Sequence, residues 1–306
     1  MGAAAFVVNR VFPDSDEAAA SISGVEVEFS LLAPKQCDWS LLEARLGDML
    51  ITSGRTGARL AANGATDRSM GSFLLPRGPD AQWTVNGLPV TRDTVMYLAP
   101  GADHIAMLGQ PLGWDLLQAP VGTFGPTLEA NTGVTAFIPG AAGLERLRAA
   151  VRGTVLLART QPHLLEMDNV RNRLRAMVLH ALRESLPGAA ENAAPRHAHL
   201  AARLNELLAA GEEIYIEDLC ASLAVSERSL RRHFLELVDT SPARYLRLRR
   251  LHLARRALRD AGGGALNVTR VSAAYGFFDQ GRFAADYQRL FGELPSQTLK
   301  GPAKVN

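Results

Sequence analysis

Cysteine is nearly missing from this 306-residue chain: Cys37 and Cys220 are the whole supply, and they lie in unrelated segments. Two unclustered thiols build neither a disulfide framework nor a zinc site. Cys220, beside an apolar helical face, is expected to be a small inert core thiol. Long apolar runs are also absent. None reaches the ~18 residues of a membrane span, and the opening MGAAAFVVNRVFPDSDE is too briefly apolar, then too acidic, for a secretory signal. Histidine is scattered. Of His104, His163, His180, His197, His199, His233 and His252, only His104 falls among candidate strands, and one imidazole cannot form the clustered histidine–carboxylate site of a metal enzyme. No glycine-rich phosphate loop is present, and Cys37 has no histidine or acid beside it in sequence to activate it. These absences argue against catalysis, a metal or other cofactor, and a membrane partner, and they point to the cytoplasm.

What is present is a chain long enough for two cores, with 47% hydrophobic and 21% charged residues. The net charge of +2 conceals an asymmetry. Residues 196–306 hold 17 Lys and Arg against 12 Asp and Glu, whereas residues 1–195 hold 16 against 19. The basic end also contains an internal repeat. Phe234, Val238 and Pro242 recur as Tyr287, Phe291 and Pro295, each offset by 53 positions, and such a repeat means one supersecondary unit used twice.

The unit follows from its residues. Leu219, Ala221 and Leu223 give one helical face, Ala224-Val225 interrupts it, and Ser226 offers an N-cap with Glu227 in the first turn. Leu230, Phe234 and Val238 then recur at four-residue steps. Two short helices with a tight turn describe a helix-turn-helix. The second copy uses Val271, Ala273 and Tyr275, a turn at Gly276, Asp279 as cap, then Phe283, Tyr287 and Phe291. Between the copies Ser241 to Asp260 has no breaker after Pro242, giving a rod of roughly 30 Å, against the ~34 Å between successive major-groove faces. It carries Arg244, Arg247, Arg249, Arg250, Arg255, Arg256 and Arg259, with no acid before Asp260. A helix so basic suits a polyanion, or acids elsewhere in the chain.

The last hundred residues resemble the AraC/XylS family of bacterial transcription regulators, most specifically VSAAYGFFDQGRFAADYQRLFGELPSQ from Val271 to Gln297. The resemblance implies double-stranded promoter DNA as partner, RNA polymerase contact, and an N-terminal cupin-like barrel that binds an effector. Recognition-helix side chains near the helix start reach base edges. In the first motif these are Arg228, Arg231 and Arg232, and family positions match the same three. Arginine grips guanine O6 and N7 bidentately. In the second motif the matching positions are Gln280, Gly281, Ala284 and Ala285, and the sequence departs from the family pattern at Gly281 and Ala285. Gln280 and Arg282 remain as candidates there. The first motif is therefore expected to supply most base specificity, with Arg249, Arg250 and Arg256 on the rod contacting phosphate.

Up to about Pro120 the chain reads as short strands: Val25 to Leu31, Asp48 to Gly54, Ser69 to Leu75, Gln82 to Val85, Leu88 to Thr91, Thr94 to Leu98, Ile105 to Leu108 and Trp114 to Gln118. Asn86-Gly87 is a type I′ hairpin signal. The strand count supports an all-β fold without separating barrel from sandwich. Trp39, Arg77, Trp83, Tyr97, His104 and Trp114 are candidate effector-lining residues, suited to a small polar or anionic molecule with Arg77 as charge partner. Leu144, Leu147, Val151 and Val155 form one helical stripe, and Met167, Val170, Leu174, Met177 and Ala181 a second. This seam either dimerises or packs on the barrel, and the family favours a homodimer. The expected organisation is α+β in two domains: residues 1–187 as all-β barrel plus helices, 188–196 as linker, and 197–306 as an all-α double helix-turn-helix. The expected function is an effector-responsive DNA-binding regulator, more often activator than repressor. An effector-independent architectural protein and an enzyme fused to a DNA-binding domain are the rival readings.

Overall fold

A computed structural model describes residues 6–78, 83–186, 203, 204, 207, 214–261 and 267–301. The 188–196 linker, most of the expected helix from His197, and Gln82 lie outside the described residues.

Twelve strands are described in the first 140 residues: β1 (Val7–Phe12), β2 (Val25–Leu31), β3 (Trp39–Leu46), β4 (Met49–Arg55), β5 (Leu60–Thr66), β6 (Met70–Arg77), β7 (Trp83–Val85), β8 (Leu88–Val90), β9 (Val95–Leu98), β10 (Asp103–Leu108), β11 (Gly113–Pro120) and β12 (Val134–Phe137). They form two open antiparallel sheets, ordered β1-β3-β4-β11-β6-β9-β12 and β2-β5-β10-β7-β8. The expected barrel is thus realised as two facing sheets without closure. The hairpin between β7 and β8 turns at Asn86 and Gly87, both at positive φ (49° and 78°). The buried Asn86 amide also ties the turn to β10, accepting from Ile105 N–H at 2.8 Å and donating to Asp103 O at 3.1 Å.

Strand alternation sorts the residues into layers. On β11, Trp114 and Leu116 face the space between the sheets, whereas Leu117 and Ala119 face outward. The inner layer joins Leu41, Leu74 and Trp114 of the larger sheet to Phe29, Leu60 and Trp83 of the smaller one. Outside the larger sheet lie α3 (Ala141–Thr160) and α4 (Asp168–Ser185), preceded by α1 (Ser15–Ala20) and α2 (Pro126–Glu129) in chain order. Leu144, Leu147, Val151 and Val155 all pack there against Leu42, Ile51, Phe73 and Tyr97. The second stripe is met only in part: Ala181 is buried and Val170 and Leu174 are half-buried as expected, but Met167 and Met177 are 49% and 43% exposed, and Arg171, Val178, Leu179 and Leu182 complete the buried row. Arg171 hides this face from a hydrophobicity reading. Its guanidinium lies 4.0 Å from the Phe6 ring centroid and donates to Leu165 O.

Beyond the smaller sheet lie α5 (Ile216–Leu223), α6 (Glu227–Val238), α7 (Pro242–Asp260), α8 (Val268–Ala274), α9 (Gln280–Phe291) and α10 (Pro295–Lys300). Ala61, Ile105 and Met107, on the outer face of that sheet, share a core with Leu219, Leu230, Phe234 and Tyr245. The order of layers is therefore helix pair, large sheet, small sheet, helical domain.

Leu147→Ala should cost about 2–5 kcal/mol, because it empties a fully enclosed site under the large sheet. Leu156→Ala, 61% exposed on the same helix, should stay within about 0.5 kcal/mol. Equal urea midpoints for the two variants would show that α3 does not pack as described.

Candidate nucleic-acid interface

Both helix-turn-helix units form. In the first, α5 ends at Ala224 in the left-handed region (φ 51°), and Ser226 Oγ caps α6 by accepting from Ser229 N–H at 3.2 Å. Leu230, Phe234 and Val238 are all buried. In the second, Gly276 takes φ 73°, as a left-handed turn asks of glycine, and Asp279 Oδ1 accepts from Arg282 N–H at 2.9 Å. Phe283 and Tyr287 are buried, while Phe291 is half-buried and packs on the same cluster. On α8 the inward position is Ser272 rather than the expected Ala273. Ser272 Oγ donates to Gln280 Oε1 at 2.9 Å and so ties α8 to α9.

The polar faces of α6 and α9 point to solvent. Arg228, Arg231 and Arg232 are all exposed on α6, with Arg231 held one turn on from Glu227 at 2.6 Å. On α9, Arg282, Gly281 and Ala285 are exposed and Ala284 is partly so. Gln280 is turned inward: besides the Ser272 bond, its Nε2 lies 3.4 Å from Phe277 O. Its amide braces the turn instead of projecting with Arg282.

The basic rod, α7, takes a different role from the one expected. Asp14, only 7% exposed, sits between Arg255 at 2.7 Å and Arg259, whose Nη1 lies 2.9 Å from Asp14 Oδ1. Arg256 pairs with Glu28 and lies 3.7 Å from Asp16. Arg255 also reaches Glu293 at 3.0 Å, and Arg247 pairs with Asp286. Arg249 is 4% exposed, and Arg250 is half-buried with its guanidinium 5.4 Å from the Phe277 ring. In this arrangement Arg249, Arg250 and Arg256 are therefore not presented as a phosphate-facing row. Three of the acids that meet α7, Asp14, Asp16 and Glu28, lie at α1 and in β2, far away in sequence, which is why its C-terminal half reads as bare charge in the sequence alone. Neutral contacts seal the same face. His252 Nε2 accepts from Leu31 N–H at 2.7 Å, and Asn63 Nδ2 donates to the Tyr245 hydroxyl at 2.7 Å.

A helix-turn-helix domain model matches residues 219–301. The XylDLEGF operon transcriptional activator 3 of Pseudomonas putida is 40% identical over 89 residues, which are 29% of this chain and 27% of that protein. The probable thc operon regulatory protein of Rhodococcus erythropolis is 33% identical over 91 residues, 30% of this chain and 27% of that protein. The C-terminal domain belongs to the AraC/XylS family. The chain spans about a quarter of the length of these relatives. Among solved structures, the AraC-like transcriptional activator CuxR aligns over 81% of this chain and 94% of its own, at 17% identity and a TM-score of 0.39.

Outside the AraC/XylS domain, the expected effector residues separate into two groups. Trp83, His104 and Trp114 line a cavity of about 80 Å³ between the sheets. The other three lie elsewhere. Tyr97 faces outward, stacked with Phe73 at 5.0 Å beneath the helix pair, because alternation along β9 sends Met96 and Leu98 inward instead. Trp39 is buried beneath Lys35, 5.9 Å from its ring. Arg77 is pinned at the end of β6 by Gly54 O and by Asp115 at 3.4 Å. Burial pushes the Asp115 carboxyl up against the opposing pull of Arg77 and Ser53. Among the described residues, no group of three or more His, Cys, Asp or Glu is placed to hold a metal, and no helix is long and apolar enough to cross a membrane.

Burial raises the Asp14 carboxyl, but the Arg259 hydrogen bonds and the charges of Arg255 and Arg259 outweigh it and hold the group well below the usual carboxylate range. Burial pushes the His252 imidazole down to about 4, with Arg255 adding to the effect and Asp16 and Asp14 opposing it. A histidine depressed in the native state stabilises fully above its ordinary pKa of about 6.5, and that contribution is lost as pH falls toward 4. Melting temperature should therefore drop between pH 6.5 and 4 more steeply for the parent than for His252→Gln, whose side-chain oxygen still accepts from Leu31 but does not titrate. Parallel slopes would remove His252 from the account.

Proposed function

We propose that the protein is a DNA-binding transcription regulator, an activator more readily than a repressor, that docks on promoter DNA and answers to a small-molecule effector. The observation that carries the reading is α6. Its apolar face is wholly buried, its N-terminus is capped by Ser226, and Arg228, Arg231 and Arg232 stand exposed along its first turns. A helix so held offers three guanidinium forks to a major groove. The relatives above, operon activators and regulators, support the same class. α9, with Gly281 and Ala285 exposed and Gln280 turned inward, contributes Arg282 and a smaller reading surface. The cavity between the sheets supports effector control over a purely architectural role. RNA polymerase and a second copy of the chain complete the partners of this reading, which places the protein in the cytoplasm with its DNA. Leu156 and Met177, exposed on α3 and α4, are among the apolar groups open to self-association.

Arg231→Ala should lose about 1–3 kcal/mol of preference for the operator over scrambled duplex. Parent protein that binds both duplexes equally in a gel-shift titration defeats the proposal. Because Arg256 is held by Glu28 and Asp16, Arg256→Ala should leave the slope of log affinity against log salt unchanged. A slope shallower by about 0.9 would instead mean that the residue reaches a phosphate in the complex.

A further inference from the structure

The turns of the two helix-turn-helix motifs differ by one residue, and in the second the extra residue is an exposed phenylalanine. In the first motif a single residue, Val225, separates the left-handed Ala224 (φ 51°) from the cap Ser226, and it packs on the apolar cluster that contains Leu230. In the second, Phe277 and Phe278 both stand between Gly276 (φ 73°) and the cap Asp279. Phe277 takes the structural part. It is 5% exposed, its ring centroid lies 5.1 Å from that of Phe283, and its N–H donates to Ser272 O at 2.8 Å. An apolar residue just before a cap ordinarily pins the chain by packing on the fourth residue of the helix. In α9 that residue is Phe283, which Phe277 and Tyr287 already cover. Phe278 is left 83% exposed and outside the apolar clusters of the described residues.

A second residue three positions on is equally unexplained by the fold. Gly281 lies in the first turn of α9 without a positive φ, and a Cβ built there would meet only Asp279 Oδ1, at 3.6 Å. Glycine weakens a helix relative to alanine, and here neither backbone angle nor crowding asks for it. What it does supply is close access to the helix surface for another molecule. Ala285, one turn further and exposed, is small as well. A ring with no internal partner thus stands beside a helix start stripped of side-chain bulk. This is the end of a recognition helix that meets base edges, so the argument from here rests on the DNA-binding reading. In the major groove thymine alone presents a methyl group, and an apolar side chain is what recognises it.

We propose that Phe278 is a specificity-determining residue of the second motif: its ring packs on the C5 methyl of a thymine, and Gly281 and Ala285 let α9 settle deeply enough for that contact. The guanidinium contacts stay with the first motif, and the second adds a preference for thymine. To test this, the full-length parent protein selects its preferred sequence from a library of random duplexes, and each thymine of that sequence is then replaced singly by deoxyuridine, which lacks only the C5 methyl. The parent should bind about fourfold more weakly at a thymine so replaced, the effect of one buried methyl-sized group. Phe278→Ala should lose about the same factor on the unsubstituted duplex, show no further loss with uracil at that position, and keep the parent melting temperature. Gly281→Leu, for which the fold has room, should also bind thymine and uracil alike there. A parent indifferent to every uracil, or a Phe278→Ala variant as sensitive as the parent, overturns the inference and leaves the DNA-binding reading standing. Phe278→Ala that binds every duplex like the parent but fails to activate a reporter moves the ring to a protein partner and overturns it too. A library that enriches no sequence defeats the DNA-binding reading and the inference together.

Discussion

The arrangement depends on one buried carboxylate. Asp14 is shared by Arg255 and Arg259 from α7, and its Oδ1 also accepts from Asp16 N–H at 2.9 Å and Glu17 N–H at 3.2 Å, capping α1. It is thus at once the start of a helix in the first domain and the anchor of the longest helix in the second. Exposed ion pairs contribute little, but a buried group with several charged partners is different: deleting one side leaves an uncompensated charge at a cost of about 3–5 kcal/mol. Glu28, Asp16 and Glu293 extend the network. Around it the apolar contacts of Leu251, Ala254 and Leu258 with the inner cluster exclude water, which keeps the pairs strong.

This clamp fixes which surfaces remain open. α7 commits Arg247, Arg255, Arg256 and Arg259 to acids of α1, the small sheet and the α9 region, so on the proposed reading the groups left to meet a duplex are mainly those of α6 and, to a lesser degree, α9. The departures from the family pattern at Gly281 and Ala285 lie on the open face of α9, and the inward turn of Gln280 thins that face further. On the proposed reading, specificity is concentrated in the first motif for a structural reason as well as a compositional one.

Much of this is legible in the sequence because it is local. Ser226 and Asp279 as caps, the Gly276 turn, the Asn86-Gly87 hairpin and the α3 stripe each follow from residues within one or two turns of one another, and each stands where the spacing places it. The features that depart from expectation share a different cause. Arg256 and Glu28 are 228 residues apart, and Arg259 and Asp14 245 apart, so no window over the sequence could pair them. The α4 face departs from its apolar pattern at Met167 and Met177, and its buried row contains Arg171, whose charge is answered by Asp168, Leu165 O and the Phe6 ring. Tyr97 and Trp114 look alike as strand aromatics; only the strand order, which decides which face of β9 meets the smaller sheet, separates them. β5 is hidden in the sequence because LAANGAT carries small residues where close backbone approach, not side-chain bulk, is the packing requirement; β1, β3 and β12 also lie outside the expected strands.

α1 is equally silent in the sequence, and it occupies the position where the separate parts meet. Six residues long, it is capped by the clamp carboxylate at one end, packs Ala18 and Ala19 into the cluster that contains Leu251, Ala254 and Leu258 of α7, and is followed at once by Ile22, which lines the intersheet cavity. The same apolar cluster continues to Phe283 and Tyr287 in the second helix-turn-helix. Interiors packed at this density do not deform smoothly. On the proposed effector reading, a ligand that shifted Ile22 would displace α1 as a unit, and with it the Asp14 carboxylate against which α7 is held. Cavity and helix-turn-helix domain are joined by a short helix that starts at a salt-bridge anchor and leads into a pocket wall, which on the proposed reading gives occupancy of one a mechanical route to the orientation of the other.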